Sequence, residues 1–172
     1  MRTLHARDVM TREVTTVNQD VPIEELIQLL RVSQFSGIPV VDEDGRAVGL
    51  ISETDILRAL AYTVGPPGSG EFARTFQAGK KRVSTAILDA AGRGDPHTAG
   101  ALNELIRRPV RELMTPYVHS CSPDAPVVEV CEMMVWKEIR RVVVLEDKKP
   151  VGIISSIDLI TKLGEWLRKG DA

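Results

Sequence analysis

The chain has 172 residues, 43% apolar and 27% charged, a composition that suits one ordinary globular domain or two small ones and excludes wholesale disorder. Its 22 Lys and Arg nearly balance its 24 Asp and Glu, and a net charge of −2 leaves no electrostatic footprint for nucleic-acid binding. No apolar run approaches the roughly 18–20 residues of a membrane span, and Met1 to Met10 lacks the apolar stretch of a signal peptide, so the chain reads as cytoplasmic with no direct membrane insertion.

In chain order, the patterned part opens on Asp8-Val9-Met10-Thr11. Val14 to Val17 is a short extended piece rich in β-branched residues. Asp20 and Pro22 supply a helix start, a capping carboxylate followed by a ring with preset φ, and Ile23, Leu26, Ile27 and Leu30 then recur at helical spacing. Ile38-Pro39-Val40-Val41 has strand length, meets the polar turn Glu43-Asp44-Gly45-Arg46, and returns through Val48-Gly49 and Ile51 as a hairpin. A second helix runs from Thr54 to Leu60. Residues 61–109 form an insert that begins with the breaker cluster Gly65-Pro66-Pro67-Gly68-Ser69-Gly70. A helix from Thr75 to Ala91 carries the basic run Lys80-Lys81-Arg82 and stops at Gly92-Arg93-Gly94. Asp95-Pro96 starts a further helix through Leu102, Leu105 and Ile106 to Arg107, and Pro109 ends it; a connector of this length without structure of its own would be unusual.

The first pattern then returns. Glu112-Leu113-Met114-Thr115 repeats the opening 104 residues on, and at that offset Val118, Asp124 and Pro126 answer Val14, Asp20 and Pro22. One residue is lost, after which Val143-Val144, Val151-Gly152 and Asp158 answer Val40-Val41, Val48-Gly49 and Asp55. Val118 to Cys121 is extended, Val127, Val130, Cys131 and Met134 form a helical stripe, Val142 to Leu145 is a strand that turns at Glu146-Asp147-Lys148-Lys149, and Ile157 to Leu167 is a helix. The chain is a tandem duplication of a β-α-β-β-α unit, an α+β fold with a largely helical insert. A unit of about 50 residues buries too little surface to be robust alone, so the two are expected to pack together.

Ser52-x-x-Asp55 and Ser155-x-x-Asp158 carry the most chemistry. Each fits a helix cap, a hydroxyl followed three residues on by a carboxylate. Each also follows a strand end, where free N–H groups suit a phosphate and a carboxylate can accept from ribose hydroxyls. Other motifs carry less. The glycine-rich cluster at 65–70 is not a P-loop, because Glu71 and Phe72 stand where lysine and a hydroxyl are needed. Arg93-Gly94-Asp95 reads as a helix stop followed by a cap. His5, His97 and His119 lack ligand spacing, so no metal site is expected. Cys121 and Cys131, one on a strand and one on a helix, read as reduced thiols. No nucleophile–base pairing or metal–carboxylate cluster supports an enzyme, so no catalytic residue is assigned.

With these residues in view, the sequence resembles a tandem pair of CBS domains, the modules first described in cystathionine β-synthase. The resemblance is carried by the two opening motifs, by Gly37-Ile38-Pro39-Val40-Val41-Asp42, and by Gly49-Leu50-Ile51-Ser52-Glu53-Thr54-Asp55 with its counterpart Gly152-Ile153-Ile154-Ser155-Ser156-Ile157-Asp158. It implies domains at 7–60 and 110–167, packed through their sheets, around the insert at 61–109. It implies clefts between the domains for an adenosine-containing ligand, AMP, ADP, ATP or S-adenosylmethionine, with no cofactor required. The residues implied at those clefts are Thr16, Gly37, Ile38, Pro39, Ser52, Thr54 and Asp55 in the first copy, and Ser120, Arg140, Arg141, Val142, Ser155, Ile157 and Asp158 in the second. The copies differ where Arg140-Arg141-Val142 replaces Gly37-Ile38-Pro39, so the second site is expected to prefer more phosphate, unless an acid such as Glu138 occupies an arginine. The resemblance further implies a homodimer, an energy-sensing or other regulatory role, and a regulated protein partner. A ligand-free dimerisation scaffold is the alternative.

Overall fold

The computed structural model describes residues 3–32, 37–64 and 96–170. The glycine-rich cluster at 65–70, the helix expected over Thr75–Ala91 with Lys80-Lys81-Arg82, and the stop at Gly92-Arg93-Gly94 lie outside them. In chain order the elements are α1 (Ala6–Val9), β1 (Val17–Asn18), α2 (Ile23–Val32), β2 (Gly37–Val41), β3 (Ala47–Ser52), α3 (Glu53–Val64) and α4 (Pro96–Arg107). A short 3-10 turn follows (Val110–Glu112), then β4 (Ser120–Cys121), α5 (Val127–Trp136), β5 (Arg141–Glu146), β6 (Lys149–Ser155) and α6 (Ser156–Gly170). The fold is α+β, with two three-stranded sheets ordered β1-β2-β3 and β4-β5-β6. The register of the second sheet shows the expected topology: β4 runs parallel to β5, and β5 turns back antiparallel into β6. That hairpin turns through Asp147 and Lys148, both at positive φ (50° and 66°), the geometry of a two-residue turn matched to strand twist.

The described chain divides into two compact units, and these are not the two sequence repeats. One comprises Met1–Thr16, Val41–Val48 and Tyr117–Ala172; the other comprises Val17–Val40 and Gly49–Pro116. Each repeat's opening motif is built into the other repeat's sheet. In the first-named unit Thr11 forms an antiparallel bridge with Ile153, its N–H donating at 2.9 Å and its carbonyl accepting at 3.0 Å. In the other unit Thr115 and Leu50 make the same pair, at 2.9 and 3.0 Å. The methionine before each threonine lies over the glycine of the facing strand. A Cβ on Gly49 would meet Met114 Sδ at 2.6 Å and the Thr115 carbonyl at 2.8 Å, and one on Gly152 would run into Met10 Sδ and come within 3.0 Å of Met10 Cβ. The Met-Thr and Val-Gly motifs are therefore two halves of one contact.

A second reciprocal contact corrects the reading of Asp20 and Asp124 as caps. Helix α5 has Pro126 at its N-cap and no side-chain cap bond. Its first amide, Val127 N–H, donates instead to the Leu4 carbonyl at 2.9 Å, as Ile23 N–H of α2 donates to Arg108 at 2.9 Å. The exchanged segments thus satisfy the donors that a helix start leaves open. The carboxylates are released for ion pairs, Asp124 with Arg7 and Asp20 with Arg111.

The core of the first-named unit gathers Ala6, Val9, Val130, Met134, Val142, Val144 and Ile154. In the other unit Ile23, Leu26, Ile27, Leu30, Ile38, Val40, Ile51, Ile56 and Leu60 are buried, and α4 packs on α2 and α3 through Leu102, Leu105 and Ile106. The expected helix from Asp95-Pro96 to Arg107 is therefore present and has a partner. Two expected extents differ. Strand pairing begins only at Val17 and Ser120, because β-branched residues at 14–16 have no ladder partner to make propensity count. The helices after the boxes run further than expected, to Val64 and Gly170.

The methionine–glycine contacts predict an asymmetric pair of results. Gly152→Ala should destabilise by roughly 1–3 kcal/mol through overpacking, and Met10→Ala in the same chain should relieve part of that cost, giving a coupling of roughly 0.5–3 kcal/mol in a urea double-mutant cycle. Gly49→Ala should be relieved less by Met114→Ala, because the Thr115 carbonyl is backbone and stays. Additive losses at 10 and 152 would contradict the packing described.

Candidate functional site

Both Ser-x-x-Asp boxes are formed, each where a strand passes into a helix. Ser52 donates its N–H (2.8 Å) and hydroxyl (2.6 Å) to Asp55 Oδ2. Ser155 does the same to Asp158 Oδ2, at 2.7 and 2.6 Å, and Asp158 N–H returns a bond to the Ser155 hydroxyl at 3.2 Å. The capping reading is realised in both directions at Ser155/Asp158 and in one direction at Ser52/Asp55. It also narrows the set of open amides at the second junction: Ser155 and Asp158 N–H are spent on the box, and Ser156 N–H donates to the Arg140 carbonyl at 3.1 Å, which leaves Ile157 N–H of the first turn. Side-chain cations would add to what that single amide offers a phosphate.

The second sheet supplies one. Arg141 lies opposite Ser155 in the β5–β6 register, and Ser120 lies opposite Val143 in the β4–β5 register. Opposed residues share a face and alternate residues return to it, so Ser120, Arg141 and Ser155 stand on one face. Val142 stands on the other, in the core with Val144 and Ile154, which leaves only its backbone for a ligand. Arg141 is half-buried. Burial lowers its pKa first and the Arg140 charge lowers it further, while the Asp158 charge opposes both. Asp158 is thus an acid that acts on Arg141, and an anion bound here would relieve an unfavourable pair of cations. Arg140 precedes β5 and is exposed, as is Ile157 within the box.

In the first copy Gly37, Ile38 and Pro39 are buried on β2, Thr54 is exposed, and Asp55 is largely covered. Thr16 is exposed just before β1. One residue passed over in the sequence lies close to the box: Arg58 Nη1 reaches Asp55 Oδ1 at 3.4 Å. Its three-residue spacing from Asp55 was the legible signal. Among the described residues no three His, Cys, Asp or Glu side chains gather as a metal site, and no described helix is long and apolar enough to cross a membrane.

The CBS domain family model matches residues 6–62 and 110–165. The chain belongs to the CBS domain family. Its two CBS domains have a full-length relative in the uncharacterized protein MJ1426 of Methanocaldococcus jannaschii, 28% identical across 91% of this chain and 89% of that one. A longer protein of the same organism, MJ1404, is 26% identical, and the match takes in 99% of this chain but only 34% of that one. Among solved structures, the CBS domain of a CBS domain containing membrane protein from Sphaerobacter thermophilus superposes with a TM-score of 0.68 at 25% identity, covering 93% and 88% of the two chains. The CBS domain pair of protein MJ0100, in complex with 5′-methylthioadenosine and S-adenosyl-L-methionine, superposes with a TM-score of 0.66 at 22% identity, covering 95% and 98%.

Within the second CBS domain, Cys121 follows Ser120 on β4 and packs against the core. Burial pushes its thiol up to about 11. A thiol held protonated in the folded state binds more protons than the unfolded chain between the ordinary thiol range and pH 11, so stability should fall as pH rises through that window. Cys121→Ser should flatten that slope in urea melts, and iodoacetamide labelling of native Cys121, followed by peptide mass spectrometry, should stay slow at pH 8.5. Fast labelling at that pH would contradict the burial.

Proposed function

We propose that the chain is a non-catalytic sensor module, with CBS domains at 7–60 and 110–167 flanking the insert, that binds an adenosine-containing ligand and passes a change of conformation to a regulated protein partner in the cytoplasm. The observation that carries this reading is the duplicated serine–aspartate box at a strand-to-helix junction, joined in the second copy by Ser120 and Arg141 on one sheet face. A carboxylate there can accept from ribose hydroxyls, and a guanidinium can take phosphate in two parallel bonds. The adenosyl compounds held by the MJ0100 domain pair support the ligand class. AMP, ADP, ATP and S-adenosylmethionine are the ligands to try, with Thr16, Gly37, Ile38, Pro39, Ser52, Thr54 and Asp55 at one site. Ser120, Arg140, Arg141, Val142, Ser155, Ile157 and Asp158 form the other, which favours more phosphate.

A homodimer completes the proposal. On α5, Val128, Val135 and Trp136 are exposed, Trp136 by 82%, and so are Ile157, Ile160 and Leu163 on α6. These are large apolar groups on helices that a second copy would cover under two-fold symmetry. A scaffold that dimerises through them without any ligand is the second reading.

Four measurements test these readings. Acid extraction of gently purified protein followed by mass spectrometry should release an adenosyl compound. A saturating ligand at about 100 Kd should add roughly 2.7 kcal/mol and raise Tm by roughly 5–11 °C; no shift from any of the four compounds would favour the scaffold. In calorimetric titrations Arg141→Ala should weaken ATP more than AMP, by roughly 1.5–3 kcal/mol for a lost charged hydrogen bond, and equal losses would remove the phosphate role. Light scattering should give twice the 18.9 kDa chain mass at micromolar concentration. A monomer with and without nucleotide would reject the dimer.

A further inference from the structure

The two serine–aspartate boxes are alike in their inner half and differ in their outer half. In each, Oδ2 of the aspartate accepts both the serine amide and the serine hydroxyl, so both of its lone-pair directions are used. For Asp55 the acceptor left over is Oδ1, and Oδ1 is the atom that Arg58 Nη1 reaches at 3.4 Å. The geometry is lopsided. The carboxylate side chain is only 11% exposed, whereas Arg58 is 63% exposed and comes in from solvent one helical turn along α3. The position matching Arg58 on α6 is Thr161, a short neutral side chain without a charge to offer Asp158. In the second copy the guanidinium on which Asp158 acts is that of Arg141, carried by the strand and half-buried. For Asp55 the guanidinium comes from its own helix and lies across the outer oxygen, whereas Arg141 comes from the strand opposite Ser155.

We propose that Arg58 is a specificity-determining residue of the first site: it holds Asp55 Oδ1 in the unliganded protein and must release it before a ribose can engage that carboxylate. The inference rests on the adenosyl-binding reading above. A ligand that brings only a ribose must displace Arg58 without compensation, while a ligand with an anionic group can give the displaced guanidinium a new partner. The first site therefore discriminates against neutral nucleosides through a helix cation that the second, with Thr161 in its place, lacks. An exposed ion pair weakens as salt rises. Binding of uncharged adenosine at the first site should accordingly strengthen with ionic strength, the reverse of what an anion bound to arginine shows.

The experiment is a two-site calorimetric titration of the full chain with adenosine, from about 0.05 to 0.5 M KCl. Asp55→Asn and Asp158→Asn, which keep an acceptor for the serine, assign the two sites. Arg58→Thr, copying the second repeat, should tighten adenosine at the first site about two- to fivefold, the range of an exposed ion pair, and make its affinity insensitive to KCl. Arg58→Met, a good helix former without charge, should do the same if threonine weakens α3. Thr161→Arg should weaken adenosine at the second site and give it the salt response of the first. Unchanged or weaker adenosine binding in both Arg58 variants would overturn the proposal, as would a wild-type first site that is flat against salt. If folded wild-type protein binds neither adenosine, AMP, ATP nor S-adenosylmethionine, the adenosyl-binding reading itself fails and takes this inference with it.

Discussion

The structure depends on a close approach between a methionine and a glycine, made twice. Met10 lies over Gly152 and Met114 over Gly49, near enough that neither glycine has room for a side chain. The threonine after each methionine then reaches the neighbouring strand residue and closes two backbone hydrogen bonds. The missing Cβ is what lets the added segment lie at ladder distance from the strand. Once it does, the rest of the segment is positioned, its carbonyls cover the amides at the starts of α2 and α5, and its arginine meets Asp20 or Asp124. A sheet of three short strands gains a further paired edge, and a helix start that carries no side-chain cap is satisfied.

The same construction shapes the candidate sites. In each copy the strand bearing the contacted glycine runs directly into the serine–aspartate box, so the box stands at the end of a strand held on its outer edge by the exchanged segment. The boxes themselves are internally satisfied. Their Oδ2 atoms belong to the fold, and what remains for a ligand is the outer carboxylate oxygen and whatever cation faces it. Duplication has kept the structural half of each box and let the facing cation change, from a residue on the helix in one copy to a residue on the strand in the other.

Much of this was legible from residue types and spacing. The repeat, its β-α-β-β-α order, the hairpins, the helix from Pro96 to Arg107 and the two boxes all follow from local pattern, because each is set by neighbours within a turn or a strand. The crossing was not legible, for a specific reason. A duplicated chain contains two Met-Thr motifs and two Val-Gly motifs, and pairing within a copy leaves the same sequence trace as pairing across copies. The misreading of Asp20 and Asp124 has the same origin. A carboxylate two residues before a proline looks like a cap when only its own helix is considered, and the arginines that claim it lie about a hundred residues away. Arg141 was visible as a charge, but its position opposite Ser155 needed the strand register, and its coupling to Asp158 needed the helix that follows.

The crossed bridges also differ in when they can form. Thr115 meets Leu50 across a loop of about 65 residues, and when it leaves the ribosome its partner strand has already been made. Thr11 meets Ile153 across about 140 residues, so the opening segment is made early and has to wait until β6 is out. Until then the strand that pairs with Thr11 does not exist, and Ala6 and Val9, buried in the finished protein, lack part of their cover. The segment from α1 to Thr11 is therefore among the last parts of this fold to settle, and synthesis that stalls before β6 leaves its apolar side chains for chaperones or proteases to find.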